Sequence, residues 1–264
     1  MRFSTILFDL DDTLMPEHAA DRAALRAVVD TLSAGVDIDC DALFESVGAA
    51  SRELLGSSPF HRHAVDVGLS AVEVLWSPSD PFEGLVGGLE EWVHPFRLKA
   101  WQIALANDGG ADPAWAEEIT TRYAAERDLH HAPYPESLEV LAELQSLRPL
   151  GLVTNGAPVV QRRKAAAAGL LPFFDALVVS GDIGSRKPEP VVFERALAML
   201  GVPPEEAVMI GDRMNTDIEG AKSAGITAIL VNRSGRNLDS QNTRVRPDAT
   251  IADLTGLIEV LRSL

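Results

Sequence analysis

The stretch Ser4–Thr13, STILFDLDDT, begins as a short apolar run and ends in a cluster of acidic residues. Apolar runs of this length that are rich in β-branched and aromatic residues are typical of buried strands. The acids that follow directly would lie at the carboxyl end of that strand. Open parallel sheets hold their ligands at this edge, so Ser4–Thr13 predicts both the first strand of such a sheet and a functional site.

From Pro135 onward, further apolar runs alternate with segments of helical periodicity. This alternation predicts a doubly wound, Rossmann-like α/β fold, in which helices cover both faces of a parallel sheet. The predicted strands are Ser4–Leu10, Pro149–Asn155, Asp175–Gly181, Glu206–Asp212, Ile226–Asn232 and Ala249–Ile251, and the predicted helices are Glu136–Leu147, Pro158–Gly169, Glu189–Leu200 and Thr216–Ala224. The polar segment Arg233–Pro247 is expected to be a surface loop.

The region between the first strand and Pro135 lacks comparable strands. Its apolar residues show helical spacing at Asp21–Leu32, Cys40–Leu55 and Ala114–Leu129. We therefore expect an α/β core domain of residues 1–15 and 133–264, interrupted by a mostly helical domain of residues 16–132.

The helical domain contains aromatic and basic side chains that are candidates for contact with a substrate. Tryptophans pack in cores more often than they contact ligands, so no substrate contact is assigned to any of these side chains: His61, Arg62, His63, Trp76, Trp92, Arg97, Lys99 and Trp101. His130 and His131, which precede the second domain junction, are expected at the surface.

Composition and charge exclude several classes of protein. With 46% hydrophobic residues among 264, the chain can build a proper core, and its net charge of −16 argues against a nucleic-acid-binding face. The longest stretch without a charged residue, Pro149–Gln161, has 13 residues, whereas a membrane span needs about 20. No signal peptide is visible, and the single Cys40 excludes an internal disulfide. We expect a cytoplasmic protein, monomeric or homodimeric.

Polar residues follow four of the predicted strands, and the sheet would bring them to one edge: Asp9 and Asp11, Thr154 and Asn155, Lys187, and Asp212 with Asp217. Carboxylates that converge in this way repel each other unless a cation lies among them. A magnesium ion (Mg2+) suits oxygen ligands of this kind, and a phosphate group can complete its shell. A lysine and nearby hydrogen-bond donors would bind phosphoryl oxygens. The combination predicts a phosphoryl-transfer site with a carboxylate nucleophile.

These segments resemble, in order, the four motifs of the haloacid dehalogenase superfamily: Asp9–Leu14 (DLDDTL), Thr154–Gly156 (TNG), Lys187–Pro190 (KPEP) and Gly211–Asp217 (GDRMNTD). The resemblance implies that Asp9 is the nucleophile and forms an aspartyl-phosphate. It implies that Asp11 protonates the leaving alcohol and then activates water.

The same resemblance implies which residues bind the metal ion and the phosphoryl group. Mg2+ would be bound by Asp9, by the backbone carbonyl of Asp11 and by Asp212, with Asp217 behind them or sharing metal-bound water. Thr154, Asn155 and the catalytic Lys187 would contact the phosphoryl group. For Asp217, stabilisation of the helix that follows Thr216 is an equal alternative, while Asp12 and Thr13 are expected to shape the first loop.

The implied activity is that of a Mg2+-dependent phosphatase that hydrolyses a small soluble phosphomonoester and carries a helical cap after its first strand. Thr154 and Lys187 are 33 positions apart, which leaves no room for a second insertion. Asp11 and Asp212 disfavour a haloacid dehalogenase, because cleavage of a carbon–halogen bond needs neither a leaving-group acid nor a metal. A sugar phosphomutase of the same superfamily and a non-catalytic binding module remain as alternatives.

Overall fold

A computed structural model describes residues 2–32, 38–77, 89–108, 112, 114–235 and 245–264. The chain divides into two compact units. We call Met1–Pro16 together with Ala132–Leu264 the sheet unit and Glu17–His131 the helical unit. No helix in the described ranges combines the length and the apolar composition that a membrane span requires.

The first strand, β1 (Thr5–Phe8), belongs to the sheet unit, and the helical unit follows it along the chain. Its helices are α1 (Glu17–Leu32), α2 (Cys40–Gly56), α3 (His61–Val67), α4 (Glu73–Trp76), α5 (Leu89–Asp108) and α6 (Trp115–Arg127), after which comes a 3-10 turn at Asp128–His130. The helical periodicities predicted from the sequence are confirmed in α1, α2 and α6.

Helix α5, the long helix of this unit, was not predicted from the sequence. Its buried residues Val93, Phe96, Ala100 and Ala104 recur every three or four positions, as a helix requires. Pro95, which lies inside the helix and cannot donate a backbone hydrogen bond, obscured that period.

Three of the aromatic and basic residues singled out in the helical unit have structural roles. Trp76 and Trp101 are buried in its core, and Arg97 donates hydrogen bonds to the backbone carbonyls of Val74 and Ser77. These structural contacts agree with the prediction that assigns no substrate contact to the three side chains.

A buried ion cluster joins the two ends of the helical unit. The fully buried guanidinium of Arg127 contacts Asp21 at 2.7 Å, Glu17 at 2.8 Å and Nδ1 of His131 at 3.1 Å. It also lies over the ring of Trp76, 4.7 Å from the centroid. The expected surface position of His131 is therefore wrong, because its ring packs against Trp76 and its side chain is almost fully buried.

The rest of the chain completes the sheet unit. Its elements are α7 (Ser137–Gln145), β2 (Leu150–Thr154), α8 (Pro158–Ala167), β3 (Ala176–Val179), α9 (Ser180–Ile183), α10 (Pro190–Leu200), β4 (Ala207–Gly211), α11 (Glu219–Ser223), β5 (Thr227–Val231), β6 (Ala249–Ile251) and α12 (Leu257–Ser263). In the described part of the chain, the six strands form one parallel sheet in the order β3-β2-β1-β4-β5-β6. The predicted doubly wound α/β fold is confirmed. Of the predicted loop Arg233–Pro247, residues 236–244 lie outside the described residues.

Both faces of the sheet are covered, which explains why its strands are almost continuously apolar. Successive strand residues point to opposite faces. Ile6 and Phe8 pack with Leu141 in one core cluster, whereas Leu7 packs with Phe193 in the other.

The strand order creates a crevice at the ends of β1 and β4. The chain passes from β1 to β2 and β3 on one side, and then returns to β4 on the other side of β1. Ligand sites of open α/β sheets lie at such reversals of strand order. Phe8 pairs with Ile210, and the backbone N–H of Asp9 donates to the carbonyl of Ile210 at 2.9 Å. Asp9 is thereby fixed beside the end of β4.

The substitution Arg127→Met tests the ion cluster of the helical unit. It leaves the carboxylates of Glu17 and Asp21 without their buried cation, and breaking such a pair costs about 3–5 kcal/mol. We expect a large fall in the urea midpoint of the helical unit. Tryptophan fluorescence follows this unit alone, because all four tryptophans lie within it: Trp76, Trp92, Trp101 and Trp115.

Arg122→Met is the matched control on the same helix. Arg122 forms a partly exposed pair with Glu118 at 3.4 Å, and such pairs contribute about 0.5 kcal/mol or less. Equal midpoint shifts for the two variants would contradict the assigned role of Arg127.

Candidate active site

The loop that follows β1 is closed on itself by backbone hydrogen bonds. The N–H of Asp12 donates to the carbonyl of Met15 at 2.7 Å, and that of Leu14 donates to Leu10 at 2.9 Å. Asp12 has a positive φ of 59°, a left-handed conformation that aspartate tolerates better than most residues. The role expected for Asp12, shaping the loop, is confirmed.

The ammonium group of Lys187 lies at the centre of the site. Its Nζ is 2.6 Å from Oδ1 of Asp9, 2.7 Å from Oδ1 of Asp217 and 2.8 Å from the carbonyl oxygen of Val153. The ammonium group thus lies within 2.8 Å of three oxygen atoms, two of which belong to carboxylates. Burial alone would lower the pKa of Lys187, but Asp217 and Asp9 raise it above its ordinary value. The side chain therefore remains a cation.

Three carboxylates converge beside this lysine. Asp9, Asp212 and Asp217 each offer one oxygen, and these oxygens lie within 4.8 Å of one another. Burial, and then the neighbouring carboxylates, raise the pKa of Asp9 to about 7, although Lys187 opposes the shift. Burial and the charges of Asp9 and Asp217 raise the pKa of Asp212 to about 8. A further cation among these oxygens would relieve the repulsion, and an all-oxygen donor set fits Mg2+.

Asp217 reaches the cluster through an irregular turn. The predicted helix at Thr216–Ala224 begins with π-helical geometry at Met214–Ile218, and regular α-helix starts only at Glu219. Oδ2 of Asp217 accepts a hydrogen bond from the N–H of Arg213 at 3.0 Å. A Cβ atom on Gly211 would lie 2.5 Å from the Asp217 side chain, so only glycine allows this approach. Asp217 both stabilises its own turn and contacts the cluster through Lys187.

Thr154 and Asn155 lie at the end of β2. The amide of Asn155 donates to the carbonyl of Lys187 at 3.1 Å and accepts from the N–H of Lys187 at 2.8 Å. The buried hydroxyl of Thr154 accepts a hydrogen bond of 2.5 Å from Nε2 of Gln161. The Asn155 side chain therefore holds the backbone that carries Lys187, and its expected contact with phosphate stays a prediction.

Three side chains that contact the first loop were missed from sequence. Gln161 and Lys164 on α8 both contact the carboxylate of Asp11, and Arg233 donates to the carbonyl of Thr13 at 2.8 Å. The signal for the α8 pair is two polar residues, three positions apart, on the buried face of a predicted helix. The sequence contains no comparable signal for Arg233, which follows β5.

The chain belongs to the haloacid dehalogenase-like hydrolases, since the profile of that family matches residues 3–225. It is similar to a phosphoserine phosphatase of Thermus thermophilus, with 38% identity over 251 residues that cover 94% of this chain and 95% of the relative. It is also similar to a glyceraldehyde 3-phosphate phosphatase of Methanopyrus kandleri, with 30% identity over 270 residues that cover 98% and 97% of the two chains.

Solved structures share the fold. A hydrolase of the same superfamily from Bacillus subtilis, YfnB, determined with bound magnesium, matches with a TM-score of 0.66 and 22% identity over 99% of both chains. A 2-haloacid dehalogenase from Pseudomonas syringae matches with a TM-score of 0.60 and 26% identity, again over 99% of both chains. The fold alone does not separate these chemistries, but the sequence relatives are phosphatases. The predicted class, a hydrolase of the phosphatase type, is confirmed.

The raised pKa values predict how stability depends on pH when no cation is bound. Asp9 and Asp212 have folded-state pKa values of about 7 and about 8, against about 3.9 in the unfolded chain. At pH values between the unfolded-state and folded-state pKa values, the folded state binds more protons than the unfolded state. Raising the pH from about 5 to about 9 therefore lowers the free energy of unfolding. Calorimetric melting in the presence of a chelator measures this fall.

Mg2+ should counteract the fall, and more strongly at high pH, because carboxylates must lose their protons before they bind a metal. The variant Asp212→Asn should flatten the dependence on pH and weaken the stabilisation by Mg2+. A melting temperature that rises with pH in chelator, or an equal Mg2+ effect in the variant, would refute the assignment.

Proposed function

We propose that this protein is a cytoplasmic, Mg2+-dependent phosphatase that hydrolyses a small phosphomonoester through a phosphorylated Asp9, with the helical unit as its cap domain. One observation carries the proposal: the carboxylate of Asp9 contacts the buried cation Lys187 within a cluster that also contains Asp212 and Asp217. At this reversal of strand order, the lysine suits the oxygens of a phosphoryl group, and the surrounding carboxylates suit a divalent cation.

The nucleophile is held at both of its oxygens. Lys187 contacts Oδ1 of Asp9, and the hydroxyl of Thr13 donates to Oδ2 at 3.1 Å. In the proposed reaction, a carboxylate oxygen of Asp9 forms a bond to phosphorus while the bond from phosphorus to the alcohol oxygen breaks. Asp11 gives its proton to that departing oxygen.

Water completes the cycle. Its oxygen attacks the phosphorus of phosphorylated Asp9, and Asp11 takes the proton that the water loses. The bond between phosphorus and Asp9 breaks, which restores the carboxylate and releases inorganic phosphate. Throughout both steps Lys187 remains charged and can contact the phosphoryl oxygens.

The residues that would hold Mg2+ are Asp9, Asp212 and the backbone carbonyl of Asp11, with Asp217 adjoining them. When bound, the ion would offset the clustered negative charge and stabilise the phosphoryl oxygens as charge develops. The close approach of three carboxylate oxygens supports this assignment.

The sequence relatives suggest where a substrate search should begin. Phosphoserine and glyceraldehyde 3-phosphate are the substrates in the names of the two relatives described above. Both are small phosphomonoesters of an alcohol, which is the substrate class that we propose for this chain, in a monomer or homodimer. A panel of phosphorylated metabolites that includes these two tests the assignment.

Asp9→Asn is the primary test of the mechanism. The variant keeps the size of the side chain but removes the nucleophilic oxygen, so kcat for p-nitrophenyl phosphate should fall at least about 1,000-fold. Addition of a chelator to the unmodified enzyme should abolish phosphate release, and excess Mg2+ should restore it.

Asp12→Asn is the matched control, because it makes the same change in the same loop and asparagine also tolerates a positive φ. We expect its kcat to stay within about tenfold of the parent value. Full activity in Asp9→Asn would disprove the nucleophile. An isomerised sugar phosphate in place of free phosphate would identify a phosphomutase instead.

A further inference from the structure

We propose that Gln161 and Lys164 are positioning residues that hold the carboxyl group of Asp11 in place for proton transfer. The proposal rests on the phosphatase function proposed above, in which Asp11 serves as acid and then as base. It adds a pair of side chains that lies outside the four motifs and comes from one face of α8.

The two residues fix both oxygens of Asp11. Nζ of Lys164 lies 2.5 Å from Oδ1, and Nε2 of Gln161 donates to Oδ2 at 2.9 Å. Two contacts from different side chains restrain rotation of the carboxyl group about its own bond, which a single contact would not do. A proton can be delivered efficiently only from a group held within hydrogen-bond reach of its target.

Gln161 also links Asp11 to the end of β2. The same Nε2 atom lies 2.5 Å from the hydroxyl oxygen of Thr154, which we expect to contact the phosphoryl group. One amide therefore sets the position of the acid relative to a phosphate contact. This link depends on α8, whose residues Val160 and Ala165 are fully buried beside the pair.

Stability alone does not account for these side chains. Both Gln161 and Lys164 are fully buried, and a buried ammonium or amide is costly unless it is well paired. An apolar side chain would fill the same space. The arrangement also separates the two acids of the first motif, because Asp9 contacts Lys187 while Asp11 contacts Lys164. Each of these two acids therefore forms an ion pair with a different lysine.

The leaving group of the substrate distinguishes positioning from a general structural effect. An alkyl alcohol is a poor leaving group and departs only with a proton, whereas p-nitrophenolate departs almost unaided. Loss of a well-placed acid should therefore slow alkyl phosphates much more than p-nitrophenyl phosphate. General acid catalysis accelerates a reaction about 100- to 10,000-fold. Misplacing the acid should therefore remove a part of this acceleration.

The experiment compares Lys164→Met and Gln161→Met with the parent enzyme. Release of the alcohol is measured in a single turnover, with Mg2+ present and with the enzyme in excess over the substrate. This measurement isolates the first chemical step. We expect the rate for an alkyl phosphate such as phosphoserine to fall about 10- to 100-fold, and that for p-nitrophenyl phosphate less than about threefold. KM should change little for either substrate.

Arg162→Met is the matched control on α8, because Arg162 is exposed and pairs with Asp182 at 2.8 Å. It should leave both rates unchanged. Melting temperatures of all the variants show whether they are folded. Equal loss with both substrates in a folded Lys164→Met or Gln161→Met enzyme would overturn the proposal.

A double-mutant cycle separates this inference from the function on which it rests. In an Asp11→Asn background, Lys164→Met should cause no further loss with the alkyl phosphate, since the group that it positions is gone. Additive losses would overturn the positioning role alone. If Asp11→Asn itself slowed both substrates equally, the proposed acid would be wrong and the inference would fail with it.

Discussion

The contact between the ammonium of Lys187 and two buried carboxylates is the interaction on which the site depends. Lys187 joins Asp9, which follows β1, to Asp217, which lies 208 positions further along the chain and in the turn after β4. It also donates a hydrogen bond to the backbone carbonyl of Val153, next to the last residue of β2. Removing one partner from such a buried pair leaves an uncompensated charge, so the ends of three strands are held together electrostatically.

Each of the two units contains a buried ion cluster in which acids outnumber cations. In the helical unit, Arg127 contacts two carboxylates, those of Glu17 and Asp21, and removing one partner from a buried cluster of this kind destabilises the fold. In the sheet unit, two lysines face four acids at the carboxyl ends of β1 and β4: Asp9, Asp11, Asp212 and Asp217. In this second cluster, burial and neighbouring carboxylates raise the pKa of Asp9 to about 7 and that of Asp212 to about 8, and pKa shifts of this kind are concentrated at functional sites.

The predictions from sequence are correct where the signal is local. The strands were predicted within about two residues, because a strand buried on both faces is continuously apolar. The predictions are wrong or absent at α5, where Pro95 interrupts the pattern, and at His131, whose burial depends on Trp76 and Arg127. The expected helix after β4 was wrong in its first turn, because the contact of Asp217 with Lys187 is made from a π-helical turn.

The amino-acid sequence by itself determined the order of strands and helices, the residues at each strand end and the family, since these are properties of neighbouring residues. Only the tertiary structure decided which side chains meet. Gln161 and Lys164 contact Asp11 across about 150 positions, and the amide of Asn155 holds the Lys187 backbone. Contacts of this kind depend on the register of the sheet and on the rotation of α8, and a linear pattern contains neither.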